Sequence, residues 1–306
     1  MVYGEPQDAI EAVPPLEAGQ IVGCGDVRAP ADSGRDHLRC AAMGMPETMT
    51  FQTLEVARDA DRPEVLRVWF NRPHRRNAVN DRMTLEVGDL FLALQTDFTS
   101  RVVVLGGHGL SFCSGADRKR DDQPLEPPAT EREARFRHHL GRRAARAIED
   151  CEIPTIARVQ GHAAGGGCVW AVSCDFRVAT HDALFWYPEI ELGVPLTWAA
   201  TPRLIQEIGT ARARQLVMLC DRVDGRRAEQ WGLVHEAVAD DELDAAVERW
   251  VQRVLAMPEL PLHMAKTQFR GYSRAFAQGD VSEADGDQIE LARRQPGAKE
   301  RFTAGF

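Results

Sequence analysis

The chain has 306 residues, of which 44% are hydrophobic and 27% are charged, as is ordinary for a globular protein. The formal net charge of -9 at pH 7 argues against a binder of nucleic acid or of anionic membranes, because such proteins usually carry a basic field. No apolar run in the sequence reaches the roughly 18 residues that a membrane-spanning helix needs, so we expect a cytoplasmic protein.

The cysteines give no sign of a disulfide framework or a metal site. There are seven of them, an odd number, and no two are separated by two residues. An even count is typical of disulfide frameworks, and the two-residue spacing is typical of structural zinc sites. We therefore expect reduced thiols and no bound metal ion.

Residues 1–48 differ from the rest of the chain, because they are rich in proline, glycine and aspartate and lack a sustained apolar period. This composition predicts a disordered or loosely ordered leader. Two interpretations stay open. The leader is either a gene-model artefact, with the true start among Met43, Met45 and Met49, or a genuine regulatory arm.

A regular pattern of strands and helices follows the leader. Alternating or β-branched apolar runs predict strands at residues 51–58, 64–70, 101–107, 155–161, 175–180 and 183–186. Helical apolar spacing occurs at residues 80–97, with Asn80 or Asp81 as the N-cap, at residues 130–150 and 163–175, and then repeatedly from residue 203 to 294. Because strands alternate with helices first and helices dominate later, we expect an α/β core at residues 49–200 and a helical region at residues 201–306.

Two segments rich in small residues follow predicted strands. The first reads SFCSGAD at residues 111–117, and the second reads GHAAGGGC at residues 161–168. Small residues at a strand exit let the backbone approach a ligand closely. The triple glycine also opens a predicted helix, whose free N–H groups stabilise a developing anion. Two such amides converging on one point would form an oxyanion hole.

A third segment, FWYPEIELGVP at residues 185–195, places an acid between aromatic and aliphatic residues. A carboxylate in apolar surroundings is disfavoured as an anion, so burial would raise the pKa of Glu189 towards the range useful for proton transfer. A glutamate in a solvent-facing loop is the alternative that this segment leaves open.

Taken together, these segments resemble the crotonase superfamily, also called the enoyl-CoA hydratase/isomerase family, from about Met49 to the C-terminus. Further matching positions are Asn71-Arg72-Pro73, Asn77-Ala78, Cys174-Asp175 and Gly232-Leu233-Val234. The resemblance implies a crotonase (ClpP-like) spiral of ββα units with a C-terminal helical trimerisation region. It also implies a homotrimer or a dimer of trimers, with an acyl-CoA thioester as substrate and no separate cofactor.

The resemblance assigns roles to individual residues. Ser114 and Gly166 match the two oxyanion-hole amides, and Glu189 matches one of two glutamates that hydratases use. The expected CoA-binding residues are Asn77, Ala78, Val79, Ala116 and Asp117. The expected substrate pocket contains Val169, Trp186 and Trp198. The second hydratase glutamate would directly follow Cys168, where this sequence has Val169.

Because valine cannot transfer a proton, a single glutamate favours Δ3,Δ2-enoyl-CoA isomerisation. One base can take the α-proton and return it at the γ-carbon, while apolar neighbours exclude water. Three alternatives stay open. They are an enoyl-CoA hydratase with a substitute acid, a hydratase-lyase acting on aromatic acyl-CoA, and a non-catalytic crotonase-fold binding or structural subunit.

Overall fold

A six-stranded sheet lies at the centre of the computed structural model, which describes residues 49–119, 124–276, 284–297 and 300–301. The strands of the described residues are β1 (Leu54–Arg58), β2 (Val65–Phe70), β3 (Val102–Gly107), β4 (Thr155–Val159), β5 (His162–Ala164), β6 (Phe176–Thr180), β7 (Leu184–Trp186) and β8 (Glu236–Val238). The large sheet has the order β1-β2-β3-β4-β6-β8. Its first pair is antiparallel and the others are parallel. Strands β5 and β7 form a separate parallel pair.

Both faces of the large sheet are buried. In β3 all six residues are buried, with Val103 and Leu105 in one apolar cluster and Val102 and Val104 in another. Successive side chains of a strand point to opposite faces, so helices must cover the sheet on both sides. This explains why the sequence of β3 is an uninterrupted apolar run.

The described helices are α1 (Asp81–Ala93), α2 (Glu131–His138), α3 (Leu140–Asp150), α4 (Gly166–Ser173), α5 (Ala200–Met218), α6 (Gly225–Trp231), α7 (Leu243–Leu255), α8 (Glu259–Phe276) and α9 (Asp285–Arg293). Helices α1, α3 and α4 contribute to one apolar cluster and α7 to the other. Asn80 caps α1 as its position predicts, because its side chain accepts a hydrogen bond from the Met83 amide. None of these helices combines the length and the apolar character that a membrane crossing requires.

The predicted helix at residues 130–150 is in fact two helices, α2 and α3. They are separated at His139, whose backbone is not helical (φ -97°, ψ 0°). The buried His139 side chain lies against Gly286 of α9, where an added Cβ would come within 2.9 Å of the imidazole. A contact with a distant part of the chain therefore accompanies the break, and local helical spacing could not indicate it.

Two further differences concern short or late elements. Strands β5 and β8 were not predicted, because neither three-residue strand shows a recognisable apolar pattern. The final helical run begins at Glu259, and its part at residues 277–283 lies outside the described residues. The leader at residues 1–48 also lies outside them. The division at residues 200 and 201 and the assembly into trimers stay predictions.

Candidate active site

The two predicted glycine-containing segments are hydrogen-bonded neighbours. The Cys113 amide donates to the His162 carbonyl at 2.8 Å, and the Ala164 amide donates to the Cys113 carbonyl at 3.0 Å. On the other side, the Val79 amide donates to the Gly115 carbonyl at 2.7 Å. Three chain segments that are far apart in the sequence therefore lie side by side.

These segments form one wall of a cavity of about 570 Å³. Helices α1, α2, α3, α4 and α9 and the loop between β7 and α5 complete it. Its described lining includes Val79, Ala116, Asp117, Gly165, Gly166, Val169, Trp186, Glu189, Leu192, Trp198 and Ile289. The three predicted pocket residues Val169, Trp186 and Trp198 thus all line the cavity, together with Glu189.

Gly166 begins α4, directly after the sharp turn at Gly165, whose φ is +47°. Glycine suits this turn because a positive φ is strained for residues that carry a side chain. The Gly165 amide is occupied by the Trp186 carbonyl at 3.0 Å. The Gly166 amide follows in the first turn of the helix, where N–H groups have no acceptor within the helix, and Gly166 lines the cavity.

That Ser114 supplies the other donor stays a prediction. Its amide donates to the Arg76 carbonyl at 3.0 Å. The neighbouring amides of Gly115 and Asp117 are also occupied, by the Cys113 sulfur and the Val79 carbonyl. Among residues 114–117, only the Ala116 amide has no acceptor in the described part of the chain. Ala116 also lines the cavity.

Glu189 lies against the glycine turn. A Cβ added at Gly165 would be 2.8 Å from the Glu189 Oε1 atom. The Oε2 atom is buried and has no hydrogen-bond partner among the described residues. Burial raises the pKa of Glu189 to about 7, opposed by a hydrogen bond from its own backbone amide. The carboxyl group is thus poised to accept and release a proton near neutral pH.

Two other residues that line the cavity, Asp117 and Val169, differ from Glu189 in this respect. The buried guanidinium of Arg72 donates to the Asp117 carboxylate at 2.8 Å. Arg72 also donates to the Ala78 carbonyl. Val169 projects from α4 with 1% exposure. The position at which hydratases carry their second glutamate is therefore apolar here.

Asn77 is a further correction, because the residue is completely buried and cannot contact CoA. Its side chain accepts from the Arg72 amide at 2.9 Å and donates to the carbonyls of His108 and Ser111. Asn77 instead shapes the turn that carries Ala78 and Val79. Contacts of Ala78, Val79, Ala116 and Asp117 with CoA stay predictions.

The cysteines beside the site are not activated nucleophiles. Burial raises the pKa of Cys113 and of Cys168 to about 12 in each case. A thiol needs a lowered pKa to react as a thiolate at neutral pH. Among the described residues, no three His, Cys, Asp or Glu side chains are grouped as metal ligands would be.

Comparison with known proteins agrees with this architecture. The sequence profile of the enoyl-CoA hydratase/isomerase family matches residues 61–292. The chain is 35% identical over 200 residues to a crotonyl-CoA hydratase of Syntrophomonas wolfei. The matched region covers 65% of this chain and 75% of the relative. It is 31% identical over 202 residues to a short-chain-enoyl-CoA hydratase of Clostridium acetobutylicum, covering 65% and 75% respectively.

A crystal structure of an enoyl-CoA hydratase from Mycobacterium avium subsp. paratuberculosis superposes with a TM-score of 0.73 at 26% identity. The match covers 84% of this chain and all of that one. The predicted crotonase fold class is thereby confirmed. With the profile match spanning most of the described residues, the chain belongs to the enoyl-CoA hydratase/isomerase family of the crotonase superfamily.

Proposed function

We propose that the protein isomerises 3-enoyl-CoA thioesters to 2-enoyl-CoA thioesters, with Glu189 as the single acid and base. The proposal depends on one observation. Among the described residues that line the cavity, Glu189 carries a buried carboxylate oxygen without a partner, while Val169 occupies the position of the second acid.

The reaction moves one proton between two carbons of the acyl group. The Glu189 carboxylate takes a proton from C2, and the electrons of that C–H bond form a dienolate with its negative charge on the thioester oxygen. Backbone amides of Gly166 and of the segment at residues 114–117 donate to this oxygen. Glu189, now protonated, returns the proton to C4, which leaves the double bond between C2 and C3 and restores the thioester carbonyl.

The site suits both halves of this transfer. A carboxyl group with a pKa of about 7 is populated in both protonation states at neutral pH. Each amide of an oxyanion hole typically contributes about 3 kcal/mol to the lowering of the barrier. The apolar side chains of Val169 and Leu192 exclude the water that would otherwise add to the product. Coenzyme A is part of the substrate, so the proposed reaction requires no separate cofactor.

Hydration of a 2-enoyl-CoA is the second candidate, because the relatives named above are hydratases. Hydration requires a group that activates water and another that protonates the α-carbon. In this cavity the Asp117 carboxylate is paired with Arg72, and Asp81 lies in the first turn of α1. Neither carries a buried oxygen without a partner. We therefore expect hydration to be slower than isomerisation.

The test is to supply 3-enoyl-CoA and 2-enoyl-CoA to the purified protein in separate assays. We expect rapid conversion of the first substrate and slow hydration of the second. The reverse result would contradict the isomerase and support the hydratase. Val169→Glu is a matched variant, since it places an acid where hydratases carry one and is expected to increase hydration relative to isomerisation.

A further inference from the structure

Trp198 occupies a slot at the cavity that only glycine residues can form. A Cβ added to Gly141 of α3 would lie 1.7 Å from its indole ring, and a Cβ added to Gly166 of α4 would lie 2.3 Å from it. Non-bonded neighbours of a Cβ atom in a protein essentially never lie closer than 3 Å. The indole also stacks on Trp170, with ring centroids 5.7 Å apart and an angle of 28°. The ring is thus inserted between α3 and α4.

The backbone that carries this ring is strained and firmly held. The φ angles of Trp198 and Ala199 are +63° and +55°, in the left-handed region. Arg203 donates to both of their carbonyls at 2.9 Å, and the Ala199 amide donates to Asp285 at 2.7 Å. Both Arg203 and Asp285 are buried. Strain that the surroundings enforce in this way is concentrated at functional sites.

The indole lies very close to the proposed chemical centre. The Glu189 carboxylate lies against Gly165, and the indole lies against the next residue, Gly166. Consecutive Cα atoms are only about 3.8 Å apart. An acyl chain that extends from the reacting carbons towards Gly166 would meet the indole after a few atoms.

We propose that Trp198 closes the acyl end of the cavity and restricts the enzyme to short-chain acyl thioesters. This inference rests on the proposed function only in that the ligand is an acyl-CoA. The slot between Gly141 and Gly166 is the space into which a longer chain would extend if the indole were absent.

The first experiment measures binding of saturated acyl-CoA thioesters of increasing chain length, which cannot react, by titration calorimetry. In the wild type we expect affinity to increase with acyl chain length only among the short chains and to stop increasing beyond them. In Trp198→Gly, which also relieves the left-handed strain, affinity should continue to increase by about fourfold for each added methylene. Trp231→Ala is the matched control, since Trp231 is a partly buried tryptophan outside the cavity lining, and its length profile should equal that of the wild type.

Identical length profiles for the wild type and Trp198→Gly would overturn the proposal. Thermal unfolding establishes that the variants are folded, and Trp198→Leu replaces Trp198→Gly if the latter is not. Failure of the isomerase assignment gives a different result, namely absent turnover of 3-enoyl-CoA with the length profile retained. Absence of binding at every chain length would overturn both.

A second experiment narrows the slot between Gly141 and Gly166 that holds the indole. Alanine at Gly141 alone would push the indole into the cavity, so Gly141→Ala should weaken binding of short acyl-CoA on the order of tenfold. The double variant Gly141→Ala/Trp198→Gly should recover this affinity, because the colliding ring is gone. A loss that persists in the double variant would show that Trp198 does not fill the slot, and would contradict the proposal.

Discussion

Asp117 and Glu189 line the same cavity, but the protein treats their carboxylates in opposite ways. Asp117 is paired with the buried Arg72, and this pair joins the turn at residues 72–78 to the segment that carries the Ala116 amide. Glu189 has a buried oxygen without a partner and a pKa raised to about 7. One acid therefore stabilises the structure around the site, while the other costs stability and is the proton-transfer group of the proposed mechanism.

The largest expected effect concerns the unpaired acid. Glu189→Gln keeps the shape of the side chain but removes the base, so we expect turnover of 3-enoyl-CoA to fall by about 10²- to 10⁴-fold. Binding of a saturated acyl-CoA should remain, since the amides are unchanged. Steady-state kinetics and calorimetry measure the two quantities. A variant that kept most of its turnover would show that Glu189 is not the base.

Removal of the paired acid should instead unfold the protein more easily. Asp117→Ala leaves the Arg72 charge buried without compensation, and we expect a loss of about 3–5 kcal/mol in the free energy of unfolding. Urea denaturation measures this loss. The exposed Asp182 supplies the control, because Asp182→Ala should change the free energy by less than about 0.5 kcal/mol. Equal losses for Asp117→Ala and Asp182→Ala would show that the pair of Asp117 and Arg72 does not stabilise the fold.

Neutralisation of Glu189 should increase the free energy of unfolding, in contrast to removal of Asp117. Its folded pKa of about 7 exceeds the ordinary value of 4.5, so the folded state binds the proton more tightly than the unfolded state. Below pH 4.5 the group favours folding, and this contribution is lost as pH rises through 7. Above pH 7, Glu189→Gln should therefore be more stable than the wild type, by up to ~3 kcal/mol.

Unfolding of both proteins between pH 5 and pH 8.5 (roughly the span over which such a carboxyl titrates) tests this difference. The gap between the two curves should widen from pH 5 to about pH 7 and then level off. Glu191→Gln on the same loop is the control, and its curve should follow that of the wild type. A constant gap would mean that the folded protein does not hold Glu189 in a poorly hydrated site.

The pH dependence of turnover gives a smaller effect of the same origin. The reaction begins with ionised Glu189, so kcat/KM for 3-enoyl-CoA should fall about tenfold per pH unit below 7 and level off above it. Rate measurements across this range test the midpoint. A midpoint near the ordinary pKa of glutamate would indicate that the acid is well hydrated in the free enzyme.

The smallest effect is expected at Ser114. Its amide is occupied by Arg76, and its hydroxyl makes only a long contact of 3.4 Å with the Arg75 carbonyl. Turnover in Ser114→Ala should therefore stay within about twofold of the wild type. A large decrease would show that the serine side chain takes part in the site after all.

The fold and the position of the site were largely predictable from local patterns. The apolar run of β3, the cap of α1 and the glycine turn at Gly165 each follow from short-range physical rules, and the structure confirms them. The break at His139 was not predictable, because it accompanies a contact with Gly286 on α9. A helical pattern carries no information about such distant packing.

The sequence by itself determined the family, the glycine turn before α4, the single candidate base Glu189 and the missing second acid at Val169. Each of these depends on residue type and order alone. Only the tertiary structure decided that the Ser114 amide donates to Arg76, that Asn77 is buried, and that Trp198 fills the slot between α3 and α4. These outcomes depend on which groups from distant segments compete for the same hydrogen bonds and the same space, and only the folded chain brings those groups together.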